Sequence, residues 1–382
     1  MAQPEPDRIL ALLSQAGPAG LAPADLTAAL APASRSTVNR RLAGLAAQGL
    51  IGVKGQGRAT RYVQTERWTR EQVDAFFAQP WQSRPVARFD EALLHTEPGL
   101  PLDKAVRLTH LQARVPPMDA AFLASFVVDF SWGSSVLEGS TYSMLDTEAL
   151  LAYGQRHPDK PAAEAVLALN HRQAAEHQWQ HRALTVDNVC AWHALLTSDH
   201  GLPDVAESDH FLPEHQRGRP REYEEVNLGA SAYLPPFQPG TRYVAGALAT
   251  LVERANGLHP LQAALYLMTR IPYLQAFANG NKRTSRIAAN ALLLSHGLAP
   301  LSFADMDKAS YIRGMAAFYE LGSTDLMEQV LVRGCVQSVV RSSVLPLSLR
   351  GPGFDVPRTV ALLSAYVHTG KRPTDRHAAA FF

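Results

Sequence analysis

The spacing of apolar positions divides the chain into a series of short helical blocks with a few strand-like runs. Ile9, Leu12, Leu13 and Ala16 mark a first helix that stops at Gly17 and Pro18, and Leu26, Ala29 and Leu30 mark a short second one after Pro23. Val38, Leu42 and Leu45 mark a third, capped by Ser34 or Ser36 and ended by Gly49. Leu50 to Val53 and Thr60 to Val63 are β-like runs around a turn at Lys54, Gly55, Gln56 and Gly57, which predicts a hairpin. From Trp68 to Pro117 the prolines at 80, 85, 98, 101, 116 and 117 break any long element. The aromatics there (Trp68, Phe76, Phe77, Trp81) are read as docking and core residues of a connector.

Beyond it the helical period returns. Phe122, Phe126 and Phe130 repeat every four residues from a start near Met118, and helical spacings fill Ala162 to Leu196. Val226, Leu228 and the Gly229 turn before Tyr233, Pro235 and Pro236 predict a short hairpin whose proline exit stops further pairing. Helices are then expected over Tyr243 to Asn256, Pro260 to Arg270, Asn281 to His296, Ala304 to Leu321 and Asp325 to Val340. Ser342 to Gly353 is a Pro/Gly/Ser connector, and Val356 to Val367 a last helix with no functional reading. The fold class is mainly α, divided as 1–65, 66–117, 118–341 and 342–382.

Composition narrows the class. At 382 residues with 46% apolar and 19% charged content, the chain can bury a sizeable core. It lacks a run of eighteen uncharged apolar residues and a positive leader before a cleavage site, so the expectation is a soluble cytoplasmic protein without a membrane partner. Cys190 and Cys335 sit in apolar helical patterns and read as small core residues. His200, His210 and His215 lack metal-site spacing.

The net charge of +1 becomes informative only when divided along the chain: residues 1–65 hold seven basic against three acidic side chains. Three helices and a basic hairpin resemble a winged helix-turn-helix domain. In such a domain the third helix would read DNA with Arg35, Thr37, Asn39, Arg40 and Arg41, while the wing offers Lys54, Arg58 and Arg61. Contact with protein is the other use of such a domain.

The most informative stretch runs from Arg270 to Leu294, where small polar residues lead straight into an apolar helix. Gly280 allows a tight turn, and the free N–H groups from Asn281 to Thr284 form an anion seat at the helix start, with Lys282, Arg283 and Arg286 as cations. A helix start carrying ordinary surface arginines would share this spacing.

The stretch Gln275-Ala-Phe277-Ala-Asn279-Gly280-Asn281-Lys282-Arg283-Thr-Ser-Arg286 resembles the Fic family motif H-x-F-x-[D/E]-G-N-[G/K]-R-x-x-R. It matches at Phe277, Gly280, Asn281, Lys282, Arg283 and Arg286. The resemblance implies ATP with magnesium as cofactor, and transfer of AMP to a protein hydroxyl whose proton the motif histidine accepts. Here Gln275 replaces that histidine, and Asn279 replaces the acid that holds the metal. A glutamine takes up no proton near neutral pH, and a positioned base is worth ~10²–10⁴ in rate. Asn279 keeps only an uncharged oxygen, so magnesium would rest mainly on the nucleotide.

Ser134, Glu138 and Gly139 match the family's inhibitory pattern [S/T]-x-x-x-E-[G/N], and the run that starts at Ser143 resembles the family's next segment. Glu138 is therefore expected to pair with Arg286 and occupy the place of a γ-phosphate. The run with Val226, Leu228 and Tyr233 resembles the family's flap, which holds a target peptide as an added strand; a plain surface hairpin would look the same. His193, in an AWHALL context similar to a Fic core helix, is read as a packing residue. The expected function is a nucleotide-binding, DNA-binding regulator with a weakened AMP-transfer site. The alternatives are an AMP transferase held off by Glu138, or turnover of another phosphate-linked group. Partners would be a nucleotide, DNA, a target protein at the flap and, left open, a second copy of the chain.

Overall fold

Apolar residues at helical spacing close the core of the first unit, residues 1–79. The computed structural model describes residues 6–16, 20–47, 51–55, 57, 60–64, 70–345 and 353–382. Helices α1 (Pro6–Ala16), α2 (Pro23–Ala29) and α3 (Arg35–Ala47) precede strands β1 (Ile51–Lys54) and β2 (Arg61–Gln64) and helix α4 (Arg70–Ala78). Ile9, Leu13, Leu26, Leu30, Val38, Leu42, Leu45 and Ile51 are buried together. Pro23 opens α2 at the one turn where its missing N–H costs nothing. Of the two candidate caps of α3, Ser34 serves: its Oγ accepts the Thr37 N–H at 3.2 Å. The strands pair antiparallel with Lys54 opposite Arg61. Gly17, Pro18, Gly49, Leu50, Gln56, Arg58 and Trp68 lie outside the described residues.

The stretch read as a connector belongs to both units. Its residues 70–78 are helical in the first, while 80–117 belong to the second, residues 80–382. Prolines there delimit elements without preventing them: Pro101 is the N-cap of α5 (Leu102–His110), whose Ala105 and Leu108 are buried with Leu94, Leu100 and Leu111. Trp81, expected to dock or enter a core, is 40% exposed. Phe76 and Phe77 meet edge to face at 5.1 Å.

The second unit continues with α6 (Ala120–Glu138), α7 (Met144–Tyr153), α8 (Ala162–Gln180), α9 (Val186–Leu196), α10 (Pro203–Ala206), α11 (Tyr243–Asn256), α12 (Pro260–Leu274), α13 (Asn281–Ser295), α14 (Lys308–Leu321), α15 (Asp325–Ser342), α16 (Val356–Thr369) and α17 (Arg376–Ala379). Helices α12 and α13 pack on each other and form its centre, with apolar residues covered on nearly every side. Around them, α6 and α9 lie against α8, α11 against α12, α14 against α15, and α16 against α15 and α5. Asp119 caps α6 by accepting the Phe122 N–H at 2.9 Å. By length and composition α6 is apolar enough to cross a membrane, yet its Phe126, Val127, Phe130 and Leu137 are core residues of this unit.

Two expectations are corrected. Helix α14 starts at Lys308 instead of Ala304, because Asp307 caps it and Phe303 and Asp305 hold left-handed backbone (φ 58° and 62°) incompatible with a helix. The flap forms no hairpin: Val226 and Leu228 lie outside any ladder among the described residues, and β4 (Tyr233–Leu234) pairs in parallel with β3 (Ala87–Arg88). The main-chain groups that a hairpin would use are engaged elsewhere, with Ala87 N donating to Ala232 O and Phe89 N to Leu234 O, both at 3.0 Å. Arg221 further ties this segment by donating to the carbonyls of Glu224 and Pro236.

Candidate nucleotide site

The loop between α12 and α13 is set by two left-handed backbone positions. Helix α12 runs through Pro272 to Leu274, Gln275 adopts the left-handed conformation (φ 48°), and Gly280 adopts it again (φ 73°) just before α13. At position 280 a Cβ would stand 2.8 Å from Thr197 Cγ2, so glycine is required by space as well as by φ. Asn281 clamps the loop across its own ends: its Oδ1 accepts the Phe277 N–H at 2.9 Å, and its Nδ2 donates to Phe277 O at 2.8 Å and to Gln275 Oε1 at 2.9 Å. Gln275 Nε2 donates to Pro272 O at 2.6 Å, so both halves of this amide are engaged and the side chain is buried.

His193 on α9 supports the loop from below. Its ring stacks on Phe277 at 3.8 Å. The Gly218 N–H donates to Nδ1 at 2.9 Å, so the proton sits on Nε2, which donates to Asn279 O at 3.0 Å. Burial lowers its pKa to about 3, so the ring stays neutral.

The anion seat expected at the start of α13 takes a narrower form. Thr284 N donates to Gly280 O at 2.9 Å, whereas the N–H groups of Asn281, Lys282 and Arg283 have no acceptor among the described residues. Lys282 is partly exposed. Arg283 is buried, donating to the carbonyls of Leu196 at 2.8 Å and His210 at 2.6 Å, with Nε unpartnered among the described residues. Arg283 thus binds the frame as much as it lines the seat. Asn279 is committed too: its Nδ2 donates to Asp209 O and its Oδ1 accepts the Gly280 N–H, both at 2.5 Å. The residues therefore fit a phosphate, but the Asn279 oxygen expected near a metal is already in use.

Arg286 and Glu138 meet as the sequence pattern anticipates. Arg286 is fully buried; its Nη2 donates to Glu138 Oε1 at 2.7 Å, and its Nε to Ser134 Oγ at 2.9 Å. Tyr311 Oη lies 3.4 Å from Nη1. Burial alone would raise the Glu138 pKa, but Arg286, Lys282 and Arg283 outweigh it and hold the carboxyl well below its usual range. Gly139 ends α6 with φ 107° and turns the chain away immediately after the carboxylate. Sequence reading passed over Tyr311, whose place in the apolar stripe of α14 hides its hydroxyl, and Arg221, which no spacing distinguishes from a surface arginine.

In the first unit Arg35, Asn39 and Arg40 are exposed on α3, while Thr37 and Arg41 are partly covered. Arg61 is exposed on β2 and donates to Gly20 O at 3.3 Å; Lys54 lies on β1. In the second, Tyr233 is buried with its hydroxyl donating to Tyr273 O at 2.6 Å.

The second unit is thus a mainly helical domain in which a polar loop opens an arginine-bearing helix. Residues 183–293 match the family model described as Fic/DOC family. A curated relative, "Protein adenylyltransferase Fic" of Nematostella vectensis, is 24% identical over 250 residues, 62% of this chain and 55% of the relative. The chain thus spans about half the length of that relative. Among solved structures, a Fic family protein from Desulfovibrio desulfuricans is 18% identical, covering 71% of this chain and 82% of that one with a TM-score of 0.48. A Fic domain containing signaling protein from Bacteroides thetaiotaomicron is 16% identical, covering 63% and 96% with a TM-score of 0.47.

Proposed function

We propose that the chain is a nucleotide-binding Fic protein held shut by Glu138, weak in AMP transfer because of Gln275, and joined to a DNA-contacting unit in a regulator. The observation that carries this reading is the Glu138 carboxylate seated on buried Arg286 at 2.7 Å, beside the open N–H groups of Asn281, Lys282 and Arg283. An anion already sits where a phosphate would. ATP, when bound, supplies the phosphoryl chemistry. The Lys282 ammonium and the three N–H groups would hold its phosphates, and Arg286 would join them once Glu138 withdraws. Gln275 keeps the loop in shape and accepts no proton, so a target hydroxyl would find no base at that position. Asn279 offers no negative charge for magnesium. Support for the DNA-contacting role comes from Arg35, Asn39 and Arg40, exposed on the third helix of a unit with an excess of basic side chains.

A second reading is an AMP transferase restrained by the same carboxylate. It is favoured by the similarity to a relative named a protein adenylyltransferase and by the presence of a restraint at all. The test is incubation of the wild-type chain and Glu138→Gly with labelled ATP and magnesium, followed by separate measurement of bound and covalently transferred label. Binding without transfer is the expected result; covalent label on protein selects the second reading. Absence of binding by either form overturns both.

A further inference from the structure

Glu138 is the last residue of α6, so the direction of its side chain depends on how the chain leaves that helix. The next residues are held from the start of another helix. One carboxylate oxygen, Glu164 Oε2 in the first turn of α8, accepts from Thr141 N at 2.6 Å, Thr141 Oγ1 at 3.0 Å and Ser140 Oγ at 3.0 Å. Lys160 completes the clamp from the segment before α8: its Nζ donates to Thr141 O at 2.8 Å and to Asp146 Oδ2 at 2.7 Å. Asp146 in turn accepts the Ser143 N–H at 2.9 Å in the capping box of α7. Trp132 Nε1, on α6 itself, donates to Tyr142 O at 3.0 Å. Every residue from Ser140 to Ser143 is thus fixed by a side chain, and neither Glu164 nor Lys160 hydrogen-bonds Arg286.

We propose that Glu164, assisted by Lys160, is the positioning residue that keeps Glu138 on Arg286 by pinning the exit of α6; this rests on the reading of Glu138 as the occupant of a phosphate site. Helix ends fray when their last turn is not tied. A glutamate at such an end has three rotatable bonds and reaches a single partner reproducibly only if its backbone is fixed. Charge-assisted hydrogen bonds to one carboxylate are the stronger kind, and three of them converge on two consecutive residues. Thr141 is exposed, so water can replace the carboxylate when it is removed, and the fold survives its loss. The clamp is built from the first turn of α8 and the segments beside α7 and makes no hydrogen bond to the motif loop, so a contact that draws Glu164 or Lys160 outward would open the phosphate site without occupying it.

The test uses the full chain and ATP with magnesium, titrated calorimetrically against wild type, Glu164→Ala, Lys160→Met, Glu138→Gly and Glu164→Ala combined with Glu138→Gly. Glu164→Ala is expected to tighten ATP binding by roughly fivefold or more, the lower range of typical coupling between sites. Lys160→Met should do so less, and Glu164→Ala should add nothing once Glu138 is gone. A wild-type affinity in Glu164→Ala alongside a raised one in Glu138→Gly overturns the proposal, as does an equal gain in both backgrounds. A second measurement needs no nucleotide: the loss of stability caused by Glu138→Gln should shrink in the Glu164→Ala background, and amide exchange at Gly139 to Thr141 should quicken. Strictly additive stabilities would sink the clamp. If Glu138→Gly takes up no ATP, the nucleotide reading fails, while this cycle still decides whether Glu164 positions Glu138.

Discussion

Arg286 and Glu138, 148 residues apart in sequence, form a pair at 2.7 Å in which the guanidinium is entirely covered. Removing the acid leaves a buried charge that, among the described residues, hydrogen-bonds only Ser134 and Tyr311 oxygens. Breaking a buried pair in this way costs about 3–5 kcal/mol. Glu138→Gly is therefore expected to unfold at lower temperature than wild type and to regain much of the loss with ATP, since a ligand at a hundred times its Kd stabilises by about 2.7 kcal/mol. Thermal unfolding with and without nucleotide checks both. An equal ATP shift in wild type and variant would mean that Glu138 does not compete for the site.

The same pair sets a pH dependence whose sign comes from the direction of the shift. The Glu138 carboxyl is held well below its ordinary value of 4.5, so between the two values the unfolded chain binds the proton and the folded one does not. Its contribution is complete above about pH 4.5 and is lost only as the pH falls through the lower folded value. The difference in stability between wild type and Glu138→Gln should accordingly be flat from pH 5 to 8 and shrink only in stronger acid. Denaturant titrations across that range measure it; a decline between pH 7 and 5 would show that the carboxylate is not held by its cations.

Gln275→His with Asn279→Asp, in the Glu138→Gly background, restores the two groups that the family motif contains. Histidine tolerates the left-handed backbone at 275 better than most residues, but it cannot copy both amide bonds, to Asn281 and to Pro272 O. Aspartate at 279 loses the donor that reaches Asp209 O, which turns its carboxylate away from that carbonyl. Transfer to protein is expected to rise by about 10²–10⁴, the usual worth of a placed base. Labelled AMP on protein is the measurement, and no rise would mean that the loop is not shaped for transfer.

Much of this arrangement is legible in the sequence because it rests on local rules. Gly280 before Asn281 announces a turn into a helix, and Ser134, Glu138 and Gly139 are singled out by their resemblance to the family's inhibitory pattern. What spacing does not carry is partner choice. Arg283 and Arg286 read alike as cations, yet Arg283 donates to the carbonyls of Leu196 and His210, whereas Arg286 is the one of the two that hydrogen-bonds the acid. The flap segment has the alternation of a hairpin, but its strand pairs with residues 87–88, nearly 150 positions earlier, a non-local choice that period-2 patterns leave open. Glu164 looks like any acid in the first turn of a helix until its partners at 140 and 141 are seen.

His193 offers a test of the loop's support. Neutral, and joined to Gly218 N and Asn279 O through opposite ring nitrogens, it spans two backbone segments at once. His193→Leu leaves both groups unpaired in a buried place, at about 1–3 kcal/mol each. The variant should be less stable and bind ATP more weakly, and the stability gap should be constant above about pH 6.5 and narrow as the pH falls from there, because the unfolded histidine takes up a proton that the buried ring, whose titration is moved to about 3, does not. A stability gap that stays flat from pH 8 to 5 would contradict the neutral strut.

The first unit carries the remaining prediction. Arg35 and Arg40 are exposed on α3, whereas Arg41 is partly covered, so the first two are the better candidates for phosphate contact. Each such contact releases condensed counterions, and the logarithm of affinity then falls with the logarithm of salt at a slope of about −0.9 per phosphate neutralised. Arg35→Ala with Arg40→Ala should weaken binding to duplex DNA nearly uniformly across sequences and flatten that slope by about two. Asn39, whose amide can pair with an adenine edge, should instead alter sequence preference when changed to alanine and leave the slope alone. Binding measured by fluorescence anisotropy from low to high salt separates the two effects. An unchanged affinity in the double arginine variant would assign the exposed face of α3 to a protein partner.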